Sequence, residues 1–257
     1  MTKKMSGRRR AGHVFDEMPP KKAKPSRGGG AAEDRLSALP DAVLHHVMSF
    51  LRAWEVARTC VLSRRWRHLW ASAPCVDLRR LGRRRHLPPP ERLARFAYRL
   101  LFEREVSAPV DILRVMSSPD GEGEEDYTTS DVQTWIRAAI KRRARVIQLT
   151  DHPMDEAFFN LGFVPIISCH LKHLKLSGSL LWNTTLMQLS SQCPALEILE
   201  LKKCSLHGHE ISSTSLKSLT MVKCRIMADV TIAAPNLVSL RLCAASSHTT
   251  ELPCSRI

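Results

Sequence analysis

Few side chains in this sequence could do chemistry together. Four potential metal ligands lie within a short stretch, namely Cys204, His207, His209 and Cys224. Zinc sites typically place their ligands in closely spaced pairs, such as two cysteines separated by about two to four residues. The four residues match none of these spacings, so the sequence favours a structural role for them and predicts no metal site.

Recognisable catalytic motifs are also missing from the sequence. It contains no G-x-S-x-G, H-E-x-x-H, Walker A or G-x-G-x-x-G pattern. The glycine run at 28–30 follows no strand pattern, so it cannot form a phosphate-binding loop. The carboxylates of residues 122–126 lie in a Ser- and Gly-containing loop, which cannot hold catalytic geometry. We therefore predict a non-catalytic protein that needs no cofactor.

The basic residues are concentrated in two segments. The formal net charge is +14, and residues 1–30 and 79–104 each contain nine Lys or Arg and only two acidic residues. The rest of the chain is balanced, so its composition does not require a nucleic-acid partner. A basic, nucleic-acid-associated nuclear protein that uses the Arg-rich segment 79–104 stays an alternative, although no groove-reading or base-stacking motif accompanies the charge.

Residues 1–33 are rich in Lys, Arg, Gly and Pro and contain few large apolar residues, which predicts a disordered basic tail. Two basic clusters separated by ten residues resemble a bipartite nuclear-import signal, and a solvated tail is the alternative. We therefore expect the protein in the nucleus, with the cytoplasm as a second location. The clusters are Arg8, Arg9 and Arg10, and Lys21, Lys22 and Lys24.

The spacing of the cysteines and the length of the apolar runs indicate the cellular compartment of the protein. The eight cysteines form no C-x-x-C pair, and the first residues are charged instead of forming an apolar signal segment. No run of 18 apolar residues occurs, whereas a membrane-spanning helix needs about 20. These features predict an intracellular protein with reduced cysteines and no membrane segment.

Helical spacing of apolar residues predicts three short helices in residues 34–78. The first includes Pro40 in its first turn, which suits proline because it lacks an N–H. The second begins at Trp54 and ends at about Leu62, and the third begins at Ser63, which can serve as an N-cap. The face that the first helix should bury carries Leu44, Val47, Met48 and Leu51.

A repeat of the form L-x-x-L-x-L follows a linker and helix predicted over 79–109. Four strong copies begin at 171, 196, 216 and 237, and weaker copies begin at 110 and 144. The intervals of 25, 20 and 21 residues fall in the range of about 20–29 that is typical of leucine-rich repeats. Cys204 and Cys224 lie eight residues after a first leucine, where Asn or Cys bonds the turn. We predict an α/β (α+β) fold, in which a small three-helix unit precedes a leucine-rich-repeat solenoid with a curved parallel sheet over 110–257.

Residues 34–78 carry Leu-Pro at 39–40, Met-Ser-Phe-Leu at 48–51 and Leu-Ser-Arg-Arg-Trp-Arg-His-Leu-Trp at 62–70. With these motifs, the segment 34–78 resembles an F-box. With the repeats behind it, the chain is most similar to plant F-box/leucine-rich-repeat proteins of the FBD-associated type. The FBD segment itself is not evident after Leu242, so we expect the solenoid to be incomplete at its C-terminus.

The resemblance implies a function. It makes the chain a substrate-recognition adaptor of an SCF-type (Skp–cullin–F-box) ubiquitin ligase, in which the F-box binds a Skp-type adaptor and through it a cullin. A unit of three short helices cannot bury all of its apolar residues, so some should face that partner. The candidate adaptor-binding residues are Leu39, Pro40, Leu44, Leu51, Val61, Leu62, Trp66 and Trp70.

The repeats would then present a surface to a target protein. Residues that flank each central leucine should share one exposed face, because strand side chains alternate. We call this the target face, and its mixed chemistry suits protein recognition without indicating a particular ligand. Its candidate residues are His173, Lys175, Ile198, Glu200, Ser218, Thr220, Ser239 and Arg241.

Overall fold

The computed structural model of the chain describes residues 36, 38–79, 93–103, 108–116, 127–150, 159–161 and 165–243. The predicted tail and import signal, most of the predicted linker and the residues after 243 lie outside these ranges. Among the described residues, no helix has both the length and the apolar character needed to cross a membrane.

Three short helices open the described part, as the apolar spacing predicts. They are α1 (Asp41–Met48), α2 (Ala53–Arg58), which continues as a 3-10 turn (Thr59–Val61), and α3 (Trp66–Ser72). The third helix begins three residues later than predicted, with Arg65 at its N-cap position, and the Arg65 side chain makes no capping hydrogen bond. The predicted start of the helix at Ser63 is therefore wrong, because the 3-10 turn extends to Val61 and residues 62–65 form the connection.

The three helices enclose a small core of their own. Its buried members lie on facing sides of α1, α2 and α3 and just beyond α3. They are Leu44, Met48, Val56, Trp66, Leu69 and Ala73, and Leu39, Leu51 and Trp70 pack against them half-buried.

A seven-stranded parallel sheet forms the spine of the remaining chain. Its strands are, in spatial order, β1 (Cys75–Asp77), β2 (Ile112–Met116), β3 (Val146–Thr150), β5 (His173–Ser177), β7 (Ile198–Lys202), β10 (Ser218–Val222) and β13 (Ser239–Cys243). Each strong copy of the repeat forms one of these strands, and the two weaker copies form β2 and β3. The predicted parallel repeat sheet is thus confirmed.

A second layer covers one face of this sheet. It contains α4 (Leu93–Tyr98), a π-helical turn (Arg99–Glu103), α5 (Thr129–Lys141) and α6 (Asn183–Gln192). Short parallel strands complete it, namely β4 (Phe159–Asn160), β6 (Ser179–Trp182), β8 (Ser205–His207), β9 (Glu210–Ser212), β11 (Arg225–Ile226) and β12 (Thr231–Ala233). They pair in the orders β11-β8-β6-β4 and β12-β9.

Local sequence explains where α5 begins. The Thr128 hydroxyl accepts a hydrogen bond from the backbone N–H of Asp131, and the Asp131 carboxylate accepts one from the N–H of Thr128 at 2.7 Å. This reciprocal cap satisfies two N–H groups that a helix start otherwise leaves without partners. The Tyr98 hydroxyl also donates to Asp131 at 2.6 Å, which connects α5 to α4.

The main core lies between the sheet and the second layer. Alternate residues of each strand point into it, and Leu174, Leu199 and Leu219 at register-matched positions are at most 2% exposed. Because neighbouring strands stack these leucines in rows, each repeat buries its apolar face against the next.

The helical unit and the repeat sheet are joined more closely than the sequence predicts. The sheet begins with β1, which lies inside the range 34–78 assigned to the helical unit. Ala53 and Trp54 of α2 also belong to the main core and not to the small one. The helical unit and the solenoid therefore share a sheet and a core, and the sequence missed this because Cys75–Asp77 carries no L-x-L pattern.

Candidate docking surfaces

The predicted adaptor-binding residues divide into buried and exposed ones. Leu44 and Trp66 are 0% and 3% exposed inside the small core, so they cannot contact a partner in this conformation. The prediction for these two residues is wrong, because the small unit does bury its largest side chains. Pro40, Val61 and Leu62 are exposed, whereas Leu39, Leu51 and Trp70 are half-buried against the small core.

One helix face was missed by the sequence prediction. Val43, Val47 and Phe50 lie at i, i+4 and i+7 along α1 and its end, and Phe50 is 75% exposed. The Phe50 ring contacts the edge of His46, with ring centroids 5.0 Å apart. The prediction that Val47 is buried is wrong. The sequence did contain this information, because the apolar residues of α1 fall on two faces of the helix. Leu44 and Met48 lie on one face, and Val43 and Val47 lie on the other.

The target face follows the predicted alternation. The strands pair in register, so His173, Ile198, Ser218 and Ser239 form one row and Lys175, Glu200, Thr220 and Arg241 form a second. All eight residues are half-buried or exposed, while the leucines between them point into the core or, in β13, are partly exposed. The structure thus brings all eight candidates together on one surface.

Glu200 is the electrostatic centre of the target face. Its carboxylate accepts from Lys175 Nζ at 2.7 Å and lies 2.9 Å from His173 Nε2. Partial burial alone would raise the pKa of the Glu200 carboxyl, but the hydrogen bond from Lys175 and the charges of Lys175 and His173 hold that pKa below its ordinary value. The carboxylate is therefore ionised at neutral pH and fixes the positions of both partners.

The cysteines bond the turns, as their repeat positions predict. The Cys204 thiol donates to the carbonyls of Leu176 at 3.5 Å and Lys202 at 3.4 Å, and the Cys224 thiol donates to that of Leu201 at 3.5 Å. The hydrogen bond with Cys224 and burial both raise the pKa of Cys204, which is fully buried. In the part of the chain that the structure describes, no group of three or more His, Cys, Asp or Glu could hold a metal ion.

A buried carboxylate joins the helical unit to the sheet. Asp77 of β1 is 4% exposed and accepts from Arg52 Nη1 at 3.0 Å and from Arg79 Nη2 at 2.7 Å. Arg114 of β2 lies 3.8 Å from the same carboxylate and donates to the carbonyl of Ser49 at 3.0 Å. The hydrogen bonds that the Arg79 guanidinium donates to the Asp77 carboxylate raise the pKa of Arg79. This cluster fixes the α1–α2 connection against the first two strands.

The Arg-rich segment is described only in part. Arg79 belongs to the Asp77 cluster, and Arg95 and Arg99 lie on the exposed and half-buried sides of α4 and its π-helical turn. The other arginines of the stretch lie outside the described residues. Nucleic-acid binding by this segment stays a prediction, as does the import signal.

Comparison with known proteins agrees with the two-part architecture. Residues 36–77 match the F-box domain, and residues 141–257 match the family described as "FBD-associated F-box protein At5g56370, LRR repeats". No solved structure matches the chain.

Curated plant relatives match across both parts. A meiotic F-box protein, MOF, of Oryza sativa subsp. japonica is 34% identical over 226 residues, which is 81% of this chain and 46% of the relative. A putative FBD-associated F-box protein of Arabidopsis thaliana is 31% identical over 253 residues, covering 84% of this chain and 55% of the relative. The chain thus spans about half the length of these two relatives. Since both matched regions coincide with the helical unit and the repeat sheet, the chain belongs to the F-box/leucine-rich-repeat proteins of the FBD-associated type.

Proposed function

We propose that this chain is a substrate-recognition subunit of an SCF-type ubiquitin ligase. The F-box binds a Skp-type adaptor, which connects it to a cullin, and the target face binds a protein that is to be ubiquitinated. The chain itself is non-catalytic, and it acts by holding the target near the ligase machinery.

The observation that carries this proposal is the distribution of exposed apolar side chains. Among the described residues, fourteen large apolar side chains are strongly exposed, and six of them lie between positions 36 and 62. These six are Leu36, Val43, Val47, Phe50, Val61 and Leu62. Such a density on one small unit is typical of a protein-docking surface, because monomeric proteins rarely leave large apolar patches in water.

The small core and the exposed side chains are separate sets of residues. Leu44, Met48 and Trp66 hold the helices together, whereas Val61 and Leu62 contribute little to that core. Burying one large apolar side chain contributes about 1.5–3 kcal/mol. A few such residues can therefore supply a tight interface after the entropic cost of association, without unfolding the F-box.

The shared sheet supports action by proximity. Strand β1 at the end of the F-box pairs with β2 of the solenoid, and Asp77 bonds Arg52 of the F-box at 3.0 Å. A target bound on the repeats would thus be held at a defined distance from an adaptor bound on the F-box, which favours transfer to lysines within reach.

The test is a binding measurement between the full chain and a purified plant Skp-type adaptor. Val61→Ala combined with Leu62→Ala should weaken the affinity about tenfold or more, since two exposed anchors lose their buried area. Calorimetric titration reports the affinity, and circular dichroism confirms that the helices remain.

Val238→Ala is the matched control, because Val238 is also a strongly exposed aliphatic residue, at 82%, but lies in the last repeat. It should leave adaptor binding unchanged. An affinity that ignores the Val61/Leu62 change, or the absence of any adaptor binding by the unmodified chain, would contradict the proposal.

A further inference from the structure

Two cysteines lie next to each other on neighbouring repeats. Cys204 directly precedes β8 and Cys224 directly precedes β11, and these two strands pair from their first residues, Ser205 with Arg225. The backbone N–H of Arg225 donates to the carbonyl of Cys204 at 2.8 Å. Neighbouring strands lie about 4.8 Å apart. This register therefore places the Cα atoms of the two cysteines within the range of about 4.4–6.8 Å that a disulfide can bridge.

The two side chains also point in the same direction. Each thiol contacts the carbonyl two positions earlier in its own repeat, at 3.4 Å for Cys204 and at 3.7 Å for Cys224. Each also contacts the preceding strand at 3.5 Å, through the register-matched carbonyls of Leu176 and Leu201. The two thiols are in hydrogen-bond contact with each other as well. A disulfide between them therefore needs only a local rotation of the side chains.

The two cysteines differ in their access to solvent. Cys204 is 0% exposed, whereas Cys224 is half-buried. A small solute therefore reaches Cys224 before it reaches Cys204. Redox-sensing pairs have this arrangement, because one accessible sulfur reacts with the oxidant and a neighbouring thiol then resolves the product.

Hydrogen bonding favours the ionised form of Cys224. When Cys224 loses its proton, the Cys204 thiol donates to its sulfur, and this hydrogen bond lowers the pKa of the Cys224 thiol although burial opposes it. In contrast, burial is the dominant influence on Cys75 and Cys193, and it raises the pKa of both thiols. Because the thiolate is the reactive form of cysteine, Cys224 is the most nucleophilic of these three residues.

We propose that Cys204 and Cys224 form a reversible disulfide when the protein meets hydrogen peroxide, with Cys224 as the residue that is oxidised first and Cys204 as the resolving residue. The cross-link connects the repeats of β7 and β10, which carry the middle of the target face. The inference does not depend on the proposed ligase function, because it requires only that the repeats are folded.

The reaction has two steps and consumes one peroxide. The Cys224 thiolate attacks one peroxide oxygen, the O–O bond breaks, and the hydroxide that leaves is protonated to water, so that Cys224 becomes a sulfenic acid. The Cys204 sulfur then attacks the Cys224 sulfur and displaces its hydroxyl group, which leaves as a second water with the proton of the Cys204 thiol. Two thiols and one hydrogen peroxide thus give one disulfide and two waters. A dithiol reductant reverses the cross-link by exchange and becomes a disulfide itself.

The experiment treats the full chain with hydrogen peroxide and identifies the products by mass spectrometry. Remaining thiols are blocked with N-ethylmaleimide, and the protein is then digested with trypsin. Trypsin cleaves between the two cysteines, after Lys217 and Lys223, so a disulfide is needed to keep them in one product. The Cys204–Cys224 product should be about tenfold or more abundant than any other cysteine pair, because the fold holds these sulfurs together. Dithiothreitol should remove it.

The unfolded chain provides a control for the role of the fold. The same treatment in concentrated urea should reduce the Cys204–Cys224 product to about the level of a pair with similar separation along the chain, such as Cys224 and Cys243. Selectivity that is present in the folded chain and absent in urea would show that the contact between the repeats brings the sulfurs together.

Serine variants test the order of the two steps. Cys204→Ser keeps a donor for the turn carbonyls but removes the resolving sulfur, so dimedone labelling of sulfenic acid on Cys224 should rise about fivefold. Cys224→Ser should abolish the cross-link and leave little labelling at the buried Cys204. Cys169→Ser is the matched control, because Cys169 is exposed and lies outside the pair, and it should leave the Cys204–Cys224 product unchanged. Circular dichroism confirms that each variant keeps its secondary structure.

Four results would overturn the proposal. The folded chain could form no more of the Cys204–Cys224 product than of other cysteine pairs, or the product could form equally well in urea. Dimedone labelling of Cys224 could be the same with and without the Cys204→Ser change. Finally, the product could disappear in the Cys169→Ser variant, which would show that the exposed cysteine and not Cys224 reacts first with peroxide.

Discussion

The strands near the two ends of the seven-stranded sheet have similar patterns of apolar residues, but these side chains are buried more deeply at one end than at the other. Leu113 and Val115 of β2, near the F-box, are 0% and 1% exposed. The corresponding residues of β13 are Leu240, which is half-buried, and Leu242, which is 44% exposed. The alternation along the two strands is similar, so the difference comes from what lies beside them.

The F-box covers the first end of the sheet. Strand β1 pairs with β2 along its full length of three residues, and Ala53 and Trp54 of α2 enter the main core. At the other end, β13 has β10 as its only strand neighbour among the described residues. In a solenoid each repeat contacts only its neighbours. The F-box therefore caps the repeat sheet, in addition to the docking role that we propose for it.

The largest expected effect tests the burial difference directly. Leu113→Ala should lower the free energy of unfolding by about 3 kcal/mol, since such changes in packed cores cost about 2–5 kcal/mol. Leu240→Ala should cost about 1 kcal/mol or less, because its side chain is already in partial contact with water. Urea unfolding of the full chain measures both. Equal losses would show that the C-terminal end is covered as well as the first.

The next largest effect tests the role of the F-box as the cap of the repeat sheet. Asp77→Ala should lower the free energy of unfolding by about 2–3 kcal/mol, because it leaves Arg52 and Arg79 partly buried without their carboxylate. Breaking a fully buried pair costs about 3–5 kcal/mol, and the partial exposure of the two arginines reduces that cost. Hydrogen exchange in residues 112–116 should accelerate together with the loss of stability.

Asp41→Ala is the matched control for the cap, since Asp41 pairs with Arg65 in an exposed ion pair on the F-box. Exposed pairs contribute about 0–1 kcal/mol, so the free energy of unfolding of this variant should stay close to that of the unmodified protein. Similar losses for the two variants would show that Asp77 contributes no more than a surface charge.

The smallest expected effect concerns the middle of the sheet. Glu200 has a folded-state pKa below its ordinary value of 4.5. Its contribution to stability is therefore complete above that value and is lost as the pH falls through the lower, folded-state pKa. Between about pH 5 and strongly acidic conditions, the free energy of unfolding of the unmodified chain should fall by about 1 kcal/mol or less relative to that of the Glu200→Gln variant. The effect is small because the Lys175–Glu200 pair is partly exposed. Parallel pH profiles for the two proteins would contradict the role of Glu200 as the centre of the target face.

Local patterns in the sequence determined the positions of the repeat strands and the eight residues of the target face. The reason is that strand alternation and the interval between repeats are properties of adjacent residues, and each repeat needs only its neighbour to bury its leucines. The turn role of Cys204 and Cys224 followed from the same periodicity, and hydrogen bonds to Leu176 and Leu201 confirm it.

Tertiary structure alone decided which apolar residues of the F-box are inside. The helix α1 has apolar residues on two faces, and only packing against α3 selected Leu44 and Met48 for the small core and left Val43 and Val47 exposed. The same holds for Cys75–Asp77, a short segment without a repeat pattern that becomes a strand because β2 lies beside it. Burial at these positions depends on partners distant in sequence, from α1 to α3 and from β1 to β2, and a local pattern does not specify such partners.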